Sequence, residues 1–150
     1  MTDFYFEELV DAERLVVETA ALGAAAGTKL TPSDIGKAVK RGSAQNYVLC
    51  AGGDDIEGVL NSISPETVNS GFSLGGVQRN GRKLAKIGAN QSGNIAINAL
   101  VVADTPSAVG TTDDGYPMVK AGTPTSFKWR VIRIVNGTGN TGSVVLIEKI

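Results

Sequence analysis

The sequence predicts a mainly β protein, a small antiparallel barrel or sandwich with an extended N-terminal arm, on three observations. The last twenty-four residues read as two strands, Phe127–Val135 and Ser143–Ile150, joined by the glycine-rich loop Asn136–Gly142. From Thr28 onward, turn residues cut the chain into short apolar runs at near-even spacing, the pattern of an all-β sandwich or barrel. Asn80-Gly81 is the strongest local hairpin signal, because a type I′ turn needs positive φ at both central residues.

The elements follow in chain order. Residues 1–27 form the arm, which joins an aromatic tip (Phe4, Tyr5, Phe6) to Leu9-Val10, Leu15-Val16-Val17 and an alanine-rich stretch. Gly23 and Gly27 interrupt the helical propensity of that stretch at about 1 kcal/mol each relative to alanine. The β-branched Val16, Val17 and Thr19 favour a strand over residues 14–19. Thr31-Pro32-Ser33-Asp34 is a turn, since proline presets φ and the aspartate can bond nearby backbone. Strands are expected at Ile35–Lys40, Asn46–Ala51, Ile56–Ile63, Phe72–Gln78, Lys83–Ile87, Ile95–Val102, Pro117–Lys120, Phe127–Val135 and Ser143–Ile150. Asp104–Tyr116 is the longest connection and reads as an exposed excursion. No internal repeat and no second domain is visible; residues 28–150 form the β body.

The last two strands carry additional information. Strict alternation in Phe127–Val135 would bury Arg133 beside Trp129; a bulge at Val131-Ile132 returns Ile132 and Ile134 to the apolar face and Arg133 to water. The final strand is apolar on both faces, Val145 and Ile147 on one, Val144, Leu146 and Ile150 on the other. Such a strand is either central in a sandwich or covered by another chain.

Composition narrows the function. A chain of 150 residues can bury about 68–70% of its unfolded surface, enough for a core without cross-links. There is no histidine and Cys50 is the one cysteine, so neither an intrachain disulfide nor a Cys/His zinc site can form, and no histidine-based catalytic triad is possible. Cys50, in an apolar run, reads as an inert core residue. The formal charge of −1 argues against nucleic-acid binding, and no run of eighteen apolar residues suggests a membrane span. The acidic N-terminus does not resemble a secretory signal.

The charge is unevenly divided. Residues 1–75 hold five bases against eleven acids, and residues 76–150 hold nine bases against four acids. Asp3, Glu7, Glu8, Asp11, Glu13 and Glu18 crowd the arm, while Arg79, Arg82, Lys83 and Lys86 form the densest basic cluster. Two readings stand: solvated faces, or an acidic arm docking on a complementary basic surface of a neighbouring subunit.

Apparent chemical motifs have plainer explanations. Gly137-Thr-Gly139-Asn-Thr-Gly142 spells a dinucleotide-binding fingerprint, but a strand follows it where that fingerprint needs a helix, so it reads as a hairpin loop. Asp54-Asp55 and Asp113-Asp114 could hold calcium or act as acid and base, yet neither lies in a calcium-loop pattern and aspartate is common in turns. No catalytic residue, cofactor or metal site is assigned, and the chain is not expected to be an enzyme.

The order Gly36-Lys-Ala-Val39, Tyr47-Val-Leu-Cys-Ala51, Asp54-Asp-Ile-Glu-Gly-Val-Leu60 resembles the capsid decoration (cement) proteins of tailed bacteriophages, as do Asn98–Asp104 and the closing Val131–Glu148 hairpin. The resemblance covers roughly residues 28–150 and implies a small β-barrel-like protein on the outer surface of a phage head, made in the bacterial cytoplasm. Its implied partners are the major capsid protein, which it would bridge and stabilise, and neighbouring copies of itself; neither nucleic acid nor membrane is implied. Phe4, Tyr5, Phe6, Leu9 and Val10 are the expected apolar capsid contacts, with Glu7, Glu8, Arg79, Arg82, Lys83 and Lys86 as charged ones. Two alternatives are a host-surface or glycan-binding module using Tyr116 as a stacking ring, and another tail or baseplate structural protein.

Overall fold

Ten short strands wind into two five-stranded rings. The computed structural model describes residues 17–22, 30–42, 46–63 and 73–150. The first ring comprises β1 (Val17–Leu22), β2 (Ala38–Arg41), β3 (Tyr47–Leu49), β4 (Gly58–Ile63) and β5 (Ser73–Gln78). The second comprises β6 (Arg82–Ile87), β7 (Leu100–Ala103), β8 (Met118–Ala121), β9 (Trp129–Asn136) and β10 (Val144–Lys149). Each ring closes into a barrel, in the orders β1-β3-β2-β4-β5 and β6-β8-β7-β9-β10.

The two barrels have the same connectivity. In each, the first strand pairs parallel with the third and antiparallel with the fifth, the second pairs with the third and fourth, and the fourth pairs with the fifth. The repeat is one of topology, which the side-chain sequence does not display. The parallel closures are the one departure from the antiparallel expectation. The strand expected at residues 14–19 corresponds to β1, which lies within the N-terminal 27 residues yet forms a wall of the first barrel.

Every strand expected in the body is present, several of them shortened, and two of these have a clear local cause. Residues 35–37 complete the turn after the short 3₁₀ helix Pro32–Asp34, so β2 starts only at Ala38. Asn98 takes a left-handed φ of 70°, which ends any strand begun at Ile95, so β7 starts at Leu100. The bulge in β9 is where the sequence places it. Leu146 faces Arg133 and Ile147 faces Val131, leaving Ile132 as the extra residue. Arg133 is exposed and Ile134 turns back to lie against the core.

Two expectations are corrected. Asn80-Gly81 is not a hairpin, because β5 and β6 do not pair with each other; it is the crossing from one barrel to the next. Gly81 alone has positive φ there, and the Gln78 amide steadies the crossing by donating to the carbonyls of Asn80 (2.9 Å) and Arg82 (3.1 Å). Asp104–Tyr116 is not a free excursion either. It folds onto the first barrel, where it is held by buried charge.

That charge is the pair Asp34–Lys37, at 0% and 1% exposure. Lys37 Nζ donates to Asp34 Oδ1 at 2.7 Å and to the carbonyls of Ser107 and Ala108 at 3.2 and 3.1 Å, using all three of its protons. The Asp34 carboxylate also accepts from the backbone N–H groups of Thr31 (2.8 Å) and Gly110 (3.0 Å). Gly36 (φ 97°) completes the clasp, since a Cβ there would collide with the backbone of Gly115.

The barrels also share apolar packing. One cluster of buried residues joins Ala38, Cys50 and Ile56 of the first unit to Ala85, Ile87, Val101, Val119, Trp129, Val131, Val145 and Ile147 of the second. Trp129 seals it by donating its indole N–H to the Ile56 carbonyl at 3.0 Å. A second, smaller cluster (Leu30, Val39, Tyr47, Leu60, Val77) forms the other core.

Candidate interaction surface

The motifs that might have carried chemistry have structural roles. Gly137, Gly139 and Gly142 have φ values of 88°, 97° and 89° in the β9–β10 loop, the left-handed positions that a tight hairpin loop demands. Asp54 caps its own turn by accepting from Ala51 N–H at 2.8 Å, and pairs with Lys40 at 2.6 Å. Asp55 reaches the second barrel and accepts from the N–H groups of Thr125, Ser126 and Phe127 at 2.6–3.1 Å. Burial raises the Asp55 pKa, but those three donors outweigh it and hold the group below the usual carboxylate range. Asp113 accepts from the Ser107 N–H and hydroxyl, while Asp114 pairs with Lys86. Burial pushes the Cys50 thiol up to about 12, and its sulfur lies 3.5 Å from the Asp55 carbonyl.

The basic cluster is dispersed by strand geometry. Arg79 is half-buried in the crossing. Arg82 and Lys86 lie on the outer face of β6, whereas Lys83 takes the inner parity with Ala85 and Ile87, opposite Ile147. Burial alone lowers the Lys83 pKa, and among the described residues no carboxylate pairs with it. The sequence therefore groups four cations that the fold divides between two sides of one sheet. Phe4, Tyr5, Phe6, Glu7, Glu8, Leu9 and Val10 lie outside the described residues.

The outer face of β6–β10–β9 presents another group, which charge counting alone does not single out. Register aligns Arg82, Glu148 and Arg130 in one row, and Leu84, Leu146 and Arg133 in the next. Glu148 accepts from Arg82 at 3.1 Å and from Arg130 at 3.4 Å. Leu84 is 38% exposed, Val135 46% and Ile150 53%, three of the five large apolar side chains with such exposure among the described residues. The two-sided final strand signals this face, because Val144, Leu146 and Ile150 could not all point inward. Arg133 is exposed and has no carboxylate partner among the described residues. The face is thus an apolar strip set among four cations, of which Arg82 and Arg130 share Glu148 and Lys86 pairs with Asp114.

Both rings are closed, the first through the single pair Leu22–Tyr47.

No family model matches this chain, and no curated protein or solved structure matches it either.

Proposed function

We propose that this chain is a virion structural protein that binds the outer surface of an assembled phage head and stabilises it by bridging neighbouring major capsid subunits. The observation that carries the reading is where the decoration-protein-like segments fall. Gly36–Val39, Tyr47–Ala51 and Asp54–Leu60 lie on β2, β3 and β4 and the turns beside them, three neighbouring strands of the first barrel. The resemblance therefore covers a contiguous structural unit.

The physics suits the role. Closed barrels with shared apolar packing supply a rigid body, and binding across a subunit junction adds each copy's differential affinity for the assembled shell to the shell's stability. Such contacts usually bury more than about 1,000 Å² in total. Phe4, Tyr5, Phe6, Leu9 and Val10 are the proposed apolar anchors, flanked by Glu7 and Glu8, and Arg79, Arg82, Lys83 and Lys86 are the proposed charged contacts of the body. The glycan-binding alternative is less well supported, since Tyr116 is half-buried in a loop clasped by Lys37.

Co-sedimentation of the full-length protein with phage procapsids and with expanded heads tests the proposal. Saturable binding to either form, lost when residues 1–12 are removed while the far-UV spectrum persists, is the expected result. Failure to co-sediment with both forms would refute it.

A further inference from the structure

We propose that the acidic, aromatic N-terminal segment of the free protein, residues 1–16, docks on the outer β6–β10–β9 face of its own second barrel. The inference does not rest on the capsid reading; it concerns the isolated chain.

Three independent observations favour this occupant. The first is position. Val17 pairs with Gln78, so the segment leaves the first barrel beside the Arg79–Gly81 crossing, three residues from the start of β6. The second is charge. Residues 1–16 carry Asp3, Glu7, Glu8, Asp11 and Glu13 against Arg14 alone, and the face carries Arg82, Lys86, Arg130 and Arg133 against Glu148 and against Asp114, the partner of Lys86. The third is apolar matching. Phe4, Phe6, Leu9 and Val10 lie among those acids, as Leu84, Leu146, Val135 and Ile150 lie among the cations.

Reach and tethering also agree. Sixteen extended residues span up to about 55 Å, whereas a six-residue strand is about 20 Å long, so the segment can cross all three strands. A short tether also gives an effective concentration of order millimolar, so weak contacts suffice for occupancy. The corresponding face of the first barrel has a different surface: β4 exposes Asn61 and Ser62 there, and no cation lies on β4 or β5. The shared topology thus offers two such faces, and only one has chemistry complementary to the segment.

Paramagnetic relaxation on the full-length protein tests this. A nitroxide attached at Thr2→Cys will be selective, because the native Cys50 thiol is buried. Amides of residues 82–86, 130–135 and 144–148 are expected to lose most of their intensity, and to regain it in the Leu84→Glu/Arg133→Glu variant and in high salt. Both substituted side chains are exposed, so the variant should remain folded; Phe4→Ser/Phe6→Ser provides the same test from the segment's side. Mixing isotope-labelled chains without nitroxide with unlabelled spin-labelled chains distinguishes the source. Broadening in the mixed sample would show docking on a second copy and overturn the intramolecular proposal, as would broadening confined to the first barrel or absent altogether.

Discussion

Asp34 and Lys37 show how much one buried contact can organise. Three residues apart in sequence, they are enclosed because the 104–116 loop supplies the carbonyls and N–H that complete their hydrogen bonds. Removing one partner of such a pair typically costs about 3–5 kcal/mol, since the other is left charged and buried. Lys37→Met should therefore lower stability by roughly that amount, and faster hydrogen exchange at Gly110 would locate the loss in the loop. Asp34→Asn/Lys37→Met should recover part of it, which a double-mutant cycle by chemical denaturation would measure.

Lys83 is the converse case. With burial depressing its folded pKa, its charged form is destabilised in the native state, so its contribution to stability improves as pH rises from the folded value towards that of the unfolded chain. Lys83→Met should raise stability by on the order of 1 kcal/mol at neutral pH, because the desolvated charge is removed and the stem retained. A thermal melt that is unchanged or lower would count against this. Neither behaviour was legible in the sequence, where Asp34 reads as a turn residue and Lys83 as one more member of a basic cluster.

Among the elements, β9 is the one whose local sequence conflicts with a regular strand, and it resolves the conflict with one extra residue. Deleting Ile132 should remove this bulge and place Arg133 directly after Val131, still on the outer face, with Ile134 still turned to the core. The deletion variant is therefore expected to keep a cooperative unfolding transition, as read by near-UV circular dichroism, and loss of that transition would count against this account of the bulge. This bulge was predictable because alternation is a rule of period two and a charged residue in the wrong phase exposes the exception. The Asn80-Gly81 crossing was not. A turn signal reports that the chain reverses locally; which strands then pair depends on partners far away in sequence.

At the scale of the whole molecule, the joint apolar cluster should make the two barrels unfold as one cooperative unit. Trp129, fully buried and bonded to Ile56 across the junction, should report the same transition by fluorescence as far-UV circular dichroism does for the strands. Separated transitions would show that the barrels unfold independently. Acid should destabilise this unit. Asp34, Asp55 and Asp104 are each raised by burial but lowered further by hydrogen bonds, for a net shift below the ordinary value near 4. A depressed folded pKa contributes stability that is present above the unfolded value and lost as pH falls through the folded one. Stability should therefore start to fall below about pH 4 and keep falling well under it. Asp55→Asn should flatten that dependence, because it removes one titrating group at the junction.

By itself, the sequence determined the β class, the location of nearly every strand in the body, the β9 bulge and the two-sided last strand. These follow from side-chain period and turn chemistry, which act between residues a few positions apart. Only the tertiary structure decided that the strands close into two rings of one connectivity, that the long loop is clasped by buried charge, and that the basic cluster is split across a sheet. Ring closure, desolvation and facing depend on which distant backbones meet, and contacts of that kind leave little trace in the order of residues along one chain.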